Sequence, residues 1–187
     1  MQKRTESRIE EAVEYITRSI SEILKMVDGD LLSNIVEMLL SAKKIFVYGV
    51  GRSGLVGKAF AMRLVQLGLE AHFIGETITP IVKKEDAVLL ISNIGETYSA
   101  IQTAQIVKRI GAKAAVITSR KDSTLAKLAD LCIVIPVRVE EVNTDLAPLG
   151  TLFEISALTL LDGTVSALML KKGETNESMR ERHAIWV

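Results

Sequence analysis

The chain has 187 residues, 48% of them hydrophobic, and its 23 Lys and Arg are balanced by 23 Asp and Glu. This length and apolar content suit one α/β domain with a sizeable core. The neutral charge argues against a nucleic-acid partner, and no run of about 18 uncharged apolar residues indicates a membrane span. The N-terminal sequence MQKRTESRIEE lacks the apolar segment of a signal peptide, so we expect a cytoplasmic protein.

The first 43 residues are predicted to be helical. In the first helix, apolar residues recur at alternating spacings of four and three, which gives one narrow apolar stripe. Such a stripe is typical of a helix that covers its own domain or that contacts a helix of another subunit, and both interpretations stay open. The stripe consists of Ile9, Val13, Ile16, Ile20, Ile23 and Val27.

The segment Ile45 to Gly68 reads as strand, glycine-rich loop and helix. Glycines let the backbone approach a ligand, and the first N–H groups of a helix attract anions, so the loop is a candidate phosphate site. The loop also matches G-x-G-x-x-G, but a dinucleotide site would need an acidic residue at the end of the next strand. Glu70 stands before that strand, which disfavours NAD; a tight turn without a ligand remains an alternative.

A second copy of this pattern runs from Val88 to Gly111 and aligns without a gap on the first, 43 residues later. Two parallel strands carry their following loops to the same carboxyl edge of a sheet, where ligands of open α/β sheets bind. We therefore expect the two loops to cup a small phosphorylated molecule. The candidate binding residues are Gly51, Arg52, Ser53, Ser92, Asn93, Gly95, Glu96 and Thr97.

Strand and helix patterns alternate through the remainder of the core. AHFI, AAVITS and LCIVIPV read as strands, and STLAKLAD reads as a short helix. This alternation predicts a parallel sheet with helices on both faces and right-handed crossovers. We expect one domain over residues 1–187, with N-terminal helices at 1–43, the α/β core at 44–170 and a C-terminal tail at 171–187.

The long helix TLFEISALTLLDGTVSALML is apolar on nearly every side, which predicts burial on more than one face and favours an oligomer. At its start Thr151 and Glu154 have the capping-box spacing T-x-x-E. The alternative is that Glu154 faces the ligand crevice at the carboxyl edge of the sheet, because it follows a loop that leaves this edge. In the tail, His183 and Trp186 allow either a frayed end or a docked one.

Several separated segments resemble one family. The loops GVGRSG and SNIGET are similar to those of the sugar isomerase (SIS) domain, and GETITP, PLGTLFE and the RHA near the end resemble the 6-phospho-3-hexuloisomerases within it. The resemblance implies a three-layer αβα, flavodoxin-like fold with a five-stranded parallel sheet, and a homotetramer. It also implies interconversion of 3-hexulose 6-phosphate and fructose 6-phosphate, a step of the ribulose monophosphate pathway of formaldehyde handling.

The resemblance also implies roles for single residues. Glu154 matches the base, and His183 matches a histidine that reaches the substrate, within or across subunits. Moving a carbonyl between adjacent carbons through a cis-enediol needs a base and oxyanion stabilisation, without a metal or redox cofactor. Two departures stand out: Ile94 replaces a serine of the phosphate loop, and Ile185, Trp186 and Val187 replace an acidic end.

Three other functions remain as alternatives. A SIS domain without catalytic activity would sense sugar phosphates, usually beside a DNA-binding region, but the N-terminal helices carry little basic charge. An isomerase for another sugar phosphate, such as arabinose 5-phosphate, fits the same loops. A purely structural oligomer would leave two matched Gly/Ser loops on one edge without a purpose.

Overall fold

Two helices precede the sheet, as the sequence predicts. The computed structural model describes residues 2–184, with α1 at Gln2–Lys25 and α2 at Gly29–Ser41. The break between them depends on Asp28, whose carboxylate accepts hydrogen bonds from the N–H groups of Asp30 and Leu31 at 2.9 and 3.3 Å. An aspartate in this position satisfies N–H groups that the first helical turn leaves free.

The core is a sheet of five parallel strands in the order β2-β1-β3-β4-β5. Its strands are β1 Ile45–Gly49, β2 Ala71–Phe73, β3 Ala87–Ile91, β4 Lys113–Thr118 and β5 Leu131–Val134. The helices are α3 Gly51–Gln66, α4 Tyr98–Ile110, α5 Thr124–Leu128, α6 Thr151–Lys172 and α7 Asn176–Glu181, with a 3-10 turn at Val139–Glu141.

Each face of the sheet builds its own hydrophobic core. Alternate side chains of a strand point to opposite faces. Val47 and Leu89 therefore pack with residues of α1, α2, α3 and α6, whereas Phe46 and Leu90 pack with residues of α4 and α5. Helices thus cover both faces, and the predicted three-layer αβα fold is confirmed.

The internal repeat predicts the order of strand, loop and helix correctly, but its alignment is shifted by one residue within the strands. The gapless alignment matches Val47 with Leu90, whereas the sheet pairs Val47 with Leu89. A shift of one residue moves a side chain to the other face of a sheet. Gly68 and Gly111 do end equivalent helices, with φ of 72° and 82°. The offset changes from 42 to 43 residues because the loop at 92–97 is five residues longer than Val50, whereas the segment 98–111 is four residues shorter than the segment 51–68.

The apolar stripe of α1 divides into two halves. Ile23 is buried, and Ile16 packs against the main core, as does Val27 just after the end of the helix, so the C-terminal half covers the domain itself. Ile9 and Val13, in the N-terminal half, are more than half exposed. The first interpretation therefore applies to one half, and a helix partner remains a prediction for the other.

Helix α6 is packed on several sides. It contacts α1, α2 and α3, and Phe153, Leu161 and Leu168 are fully buried. Within residues 2–184 it is the one helix whose length and composition would suffice to cross a membrane, yet these side chains face the core of the domain. Leu170, near its end, is exposed.

Candidate active site

The first loop turns from β1 into α3 within one residue. A Cβ at Gly54 would lie 2.6 Å from the carbonyl oxygen of Gly49, so the turn needs glycine at position 54. Gly51 begins α3 with a φ of 58°. Next to it, the Ser53 side chain is buried and the Arg52 side chain is 58% exposed. The free N–H groups of the first turn of α3 therefore open at the carboxyl edge of the sheet.

The second loop is tied to the end of β4. The carbonyl oxygen of Asn93 accepts hydrogen bonds from Thr118 Oγ1 at 2.8 Å, Ser119 Oγ at 2.9 Å and Ser119 N at 2.8 Å. The hydroxyl oxygens of Ser92 and Thr97 lie 3.1 Å apart across the loop. Thr118 and Ser119 were not predicted as site residues from the sequence. Their position could have indicated it, because polar residues at the carboxyl end of a parallel strand lie at the edge where ligands bind.

Gly95 and Glu96 hold this loop against α5. Gly95 has a φ of 67°, and a Cβ there would overlap the side chain of Ser123. The Glu96 carboxylate accepts a hydrogen bond of 2.8 Å from the N–H of Thr124, which lowers the pKa of Glu96. Glu96 therefore supports the start of α5, and the structure does not direct its side chain into the crevice.

A cavity of about 120 Å³ lies between the two loops. Hydroxyl groups from both loops line it, together with the start of α4, whose N-cap Thr97 makes no side-chain capping bond. Serine hydroxyls and a helix N-terminus are suitable partners for a phosphate. The lining residues are Val50, Ser53, Ile91, Ser92, Asn93, Ile94, Thr97 and Ala100.

The capping-box interpretation of Glu154 is wrong. The N-cap of α6 is Gly150 and has no side-chain capping bond, while Thr151 Oγ1 donates instead to the carbonyl oxygen of Pro148 at 2.6 Å. The Glu154 side chain is only 13% exposed, and its Oε2 lies 2.5 Å from Nε of Arg52. The second interpretation, a carboxylate at the crevice, agrees with this geometry.

Gly150 is the point at which α6 meets the second loop. A Cβ there would lie 2.9 Å from Oε1 of Glu154 and 3.3 Å from Nδ2 of Asn93. The preceding residue, Leu149, has a φ of 55° and is 95% exposed. Positive φ is uncommon outside glycine and is concentrated at functional sites. The strained turn therefore brings the Glu154 carboxylate beside the loop that lines the cavity.

His183 lies away from these residues within one protomer. Its neighbour Arg182 donates a hydrogen bond of 3.1 Å to the carbonyl oxygen of Gln66, the last residue of α3. Arg52 is at the other end of α3, whose 16 residues span about 24 Å. His183 is exposed, and the structure does not bring it together with Glu154.

The tail is more ordered than a frayed end. Thr175 and Ser178 form a reciprocal capping box that starts α7, and Met179 is buried against the main core. Helix α7 was not predicted from the sequence, because the usual capping box has Glu or Gln in the last position. Trp186, on which the docked-tail interpretation also depended, lies outside the described residues.

The dinucleotide alternative receives no support from Glu70. Its carboxylate contacts Lys44 at 3.0 Å and His72 at 3.3 Å, and Lys44 is the main cause of its lowered pKa. The Glu70 backbone oxygen accepts a hydrogen bond from Ile45, the first residue of β1. Glu70 therefore lies at the amino edge of the sheet, opposite the cavity.

Comparison with known proteins gives consistent results. The SIS domain family matches residues 38–159. A Bacillus subtilis (strain 168) protein named 3-hexulose-6-phosphate isomerase is 35% identical and covers 91% of this chain and 96% of its own length. A Pseudomonas aeruginosa protein named arabinose 5-phosphate isomerase is 31% identical and covers 83% of this chain but 49% of its own length.

A solved structure shows the same relationship in three dimensions. The crystal structure of a Methanococcus jannaschii protein, for which a function of 3-hexulose-6-phosphate isomerase was inferred, superposes with a TM-score of 0.85 at 34% identity. The match covers 95% of this chain and 99% of that one. The family match, the sequence identities and the shared fold agree, and the chain belongs to the SIS domain family.

Proposed function

We propose that the protein interconverts 3-hexulose 6-phosphate and fructose 6-phosphate. The observation that carries the proposal is the convergence of Glu154 and Asn93 at Gly150, beside the cavity between the two loops. A shielded carboxylate next to an anion site is what a phosphosugar isomerase requires. The similarity to proteins named 3-hexulose-6-phosphate isomerase over more than nine-tenths of the chain supports this substrate.

The cavity receives the phosphate group. Ser53, Ser92 and Thr97 offer hydroxyl donors, and the first N–H groups of α3 and α4 add backbone donors. Ile94 contributes no donor from its side chain, so backbone groups carry more of the binding here. Because both loops are held to the sheet by short connections, the phosphate fixes the position of the sugar relative to Glu154.

Glu154 is the base in this scheme. The substrate has a carbonyl at C3 and a hydroxyl at C2; the carboxylate removes the proton from C2, the electron pair forms the C2–C3 double bond, and the C3 oxygen gains a proton. The resulting cis-enediol collapses when the O2 proton leaves and the carried proton is delivered to C3. Asn93 Nδ2 lies near the same Cβ position of Gly150 as Glu154 Oε1, so this scheme assigns Asn93 as the donor to the developing oxyanion.

We place His183 of the partner subunit in the complete site. Within one protomer it is about the length of α3 from Glu154, so only another copy of the chain brings a histidine there without refolding the tail. The exposed Leu55 and the partly buried Leu158, which line a cavity with Arg52 and Glu154, offer an apolar surface for that copy. A homotetramer, a role in the ribulose monophosphate pathway and a cytoplasmic location complete the proposal.

The deciding experiment measures conversion of enzymatically generated 3-hexulose 6-phosphate to fructose 6-phosphate, with arabinose 5-phosphate in parallel. We expect turnover of the hexulose phosphate, and loss of turnover in Glu154→Gln with sugar-phosphate binding retained. Asp162→Asn is the matched control, because Asp162 is an exposed acid on the same helix. Turnover of arabinose 5-phosphate alone would show that this sugar phosphate, and not the hexulose phosphate, is the substrate. Full activity in Glu154→Gln would show that Glu154 is not the base.

A further inference from the structure

Arg52 holds the carboxylate that the proposed reaction needs free. Its Nε lies 2.5 Å from Oε2 of Glu154. Within the part of the chain that the structure describes, this oxygen is shielded from solvent and has no hydrogen bond, so the guanidinium is its charge partner. An ion pair of this kind restrains Oε2 beside Arg52, so this oxygen reaches a substrate proton only after the guanidinium has moved.

Arg52 is also the sequence neighbour of a residue that lines the phosphate cavity. The following residue, Ser53, lines that cavity, and both belong to the first turn of α3. The Arg52 side chain is 58% exposed, so little packing opposes its movement. A phosphate dianion carries more charge than a carboxylate and matches the planar guanidinium in a bidentate arrangement. A phosphate bound between the loops therefore competes with Glu154 for Arg52.

We propose that Arg52 is a positioning residue whose ion pair holds Glu154 inactive until the phosphate of the substrate draws the guanidinium away. The inference rests on the proposed function and adds a condition to it: the phosphate group activates the base as well as anchoring the sugar. Binding energy from a remote group is then used in the chemical step, so the phosphate contributes to kcat and not only to KM.

The test separates the phosphate from the sugar. Unphosphorylated fructose is incubated in D2O with and without saturating phosphite dianion, and deuterium incorporation at C3 is followed by NMR. In the wild-type protein we expect phosphite to raise the exchange rate by about tenfold or more. In Arg52→Gln the carboxylate is free from the start, so we expect basal exchange to rise and the phosphite effect to fall to about twofold or less.

Two further variants make the result specific. Arg52→Lys retains a charge and should recover part of the phosphite effect. Arg63→Gln is the matched control, because Arg63 is also on α3 but contacts Asp162 at 3.9 Å and Gln66 Oε1 at 3.1 Å instead of Glu154. Its phosphite effect should equal that of the wild type. Thermal melting of each variant verifies that it is folded.

Each outcome decides between the two proposals. The role of Arg52 would be overturned if the phosphite effect in Arg52→Gln were as large as in the wild type, or if basal exchange fell in this variant. In both cases the proposed function would stand, provided that the wild type converts 3-hexulose 6-phosphate. Absence of that conversion in the wild type would instead overturn the proposed function. Weaker phosphite binding with the same effect at saturation would show that Arg52 only binds phosphate.

Discussion

Gly150 and Glu154 are in such close contact that a single added carbon would fall 2.9 Å from the carboxylate oxygen Oε1. Oε2, the other oxygen of this carboxylate, contacts Arg52, so a shift of the carboxylate would also disturb this ion pair. The position of the candidate base therefore depends on the absence of a side chain at the start of α6.

Gly150→Ala should reduce kcat by about 10- to 100-fold, because a displaced base loses its alignment with the reacting carbon. Its φ of −88° suits alanine, so we expect a stability change of only about 1 kcal/mol. Steady-state kinetics and thermal melting measure both quantities. Gly29→Ala is the control, because a Cβ at Gly29 meets nothing within 4 Å; equal kinetic effects in the two variants would contradict the prediction.

Gly95→Ala should destabilise the protein by about 1–3 kcal/mol and raise KM. The residue has a φ of 67°, and the new methyl group would overlap Ser123. Urea denaturation compares it with Gly163→Ala, which adds a methyl group in open space inside α6 and should be neutral or stabilising by about 0.5–1 kcal/mol. Wild-type stability in Gly95→Ala would refute this account of the loop.

Ile94→Ser should lower KM by about three- to tenfold, because it adds a hydroxyl group to the phosphate cavity. Inhibition by inorganic phosphate should strengthen by a similar factor, which separates phosphate affinity from other effects on KM. Ile106→Ser, an equivalent change at another exposed isoleucine, in α4, is the control. An unchanged KM would mean that backbone groups already satisfy the phosphate.

Glu96→Gln should lower the free energy of unfolding at neutral pH, and this decrease should be smaller at acidic pH. The N–H of Thr124 donates to the Glu96 carboxylate and lowers the pKa of Glu96 below the ordinary value of a glutamate in the folded state. A lowered folded pKa gives stability that is present above the unfolded pKa and is lost as pH falls through the folded pKa. Urea denaturation at neutral pH and at about pH 3 measures the difference.

The control for this pH dependence is Glu10→Gln, at an exposed position of α1. Its effect on unfolding should be small at both pH values. A destabilisation by Glu96→Gln that stays constant from neutral pH to about pH 3 would show that the hydrogen bond to Thr124 does not favour the ionised form.

Mixed oligomers test whether His183 acts across subunits. Glu154→Gln and His183→Ala should each be inactive alone. If each site takes Glu154 from one subunit and His183 from its neighbour, random mixing of the two variants restores about one quarter of the wild-type activity. Differently tagged copies can be co-expressed and the mixed species purified. A mixture as inactive as its components would show that both residues must come from the same chain.

Several features followed from local patterns in the sequence. Apolar runs of strand length, glycines after them and helical periodicity predicted the five strands and the αβα layers, because these signals depend on neighbouring residues. The caps of α5 and α2, Ser123 and Asp28, are also local features, although they were not predicted from the sequence. The carboxyl-edge rule also placed the two loops together before any contact was known.

Other features depended on residues far apart in the chain. The strand register differs by one residue from the repeat in the sequence, because inter-strand pairing, and not the spacing of similar residues, decides it. The capping-box spacing at Thr151 is genuine, yet Glu154 pairs with Arg52, and Thr151 bonds to Pro148. A buried carboxylate takes the partner that best compensates its lost hydration, and only the fold decides which partner is near.

The sequence by itself therefore determined the class of fold, the two polar loops and the family, since each of these depends on residues that are close together in the chain. Only the tertiary structure decided how the functional residues are arranged: Glu154 beside Asn93 and Arg52, Glu96 turned to α5, and His183 at the far end of α3. The reason is physical, because local sequence specifies backbone conformation, whereas packing of distant segments specifies which charged and polar side chains meet.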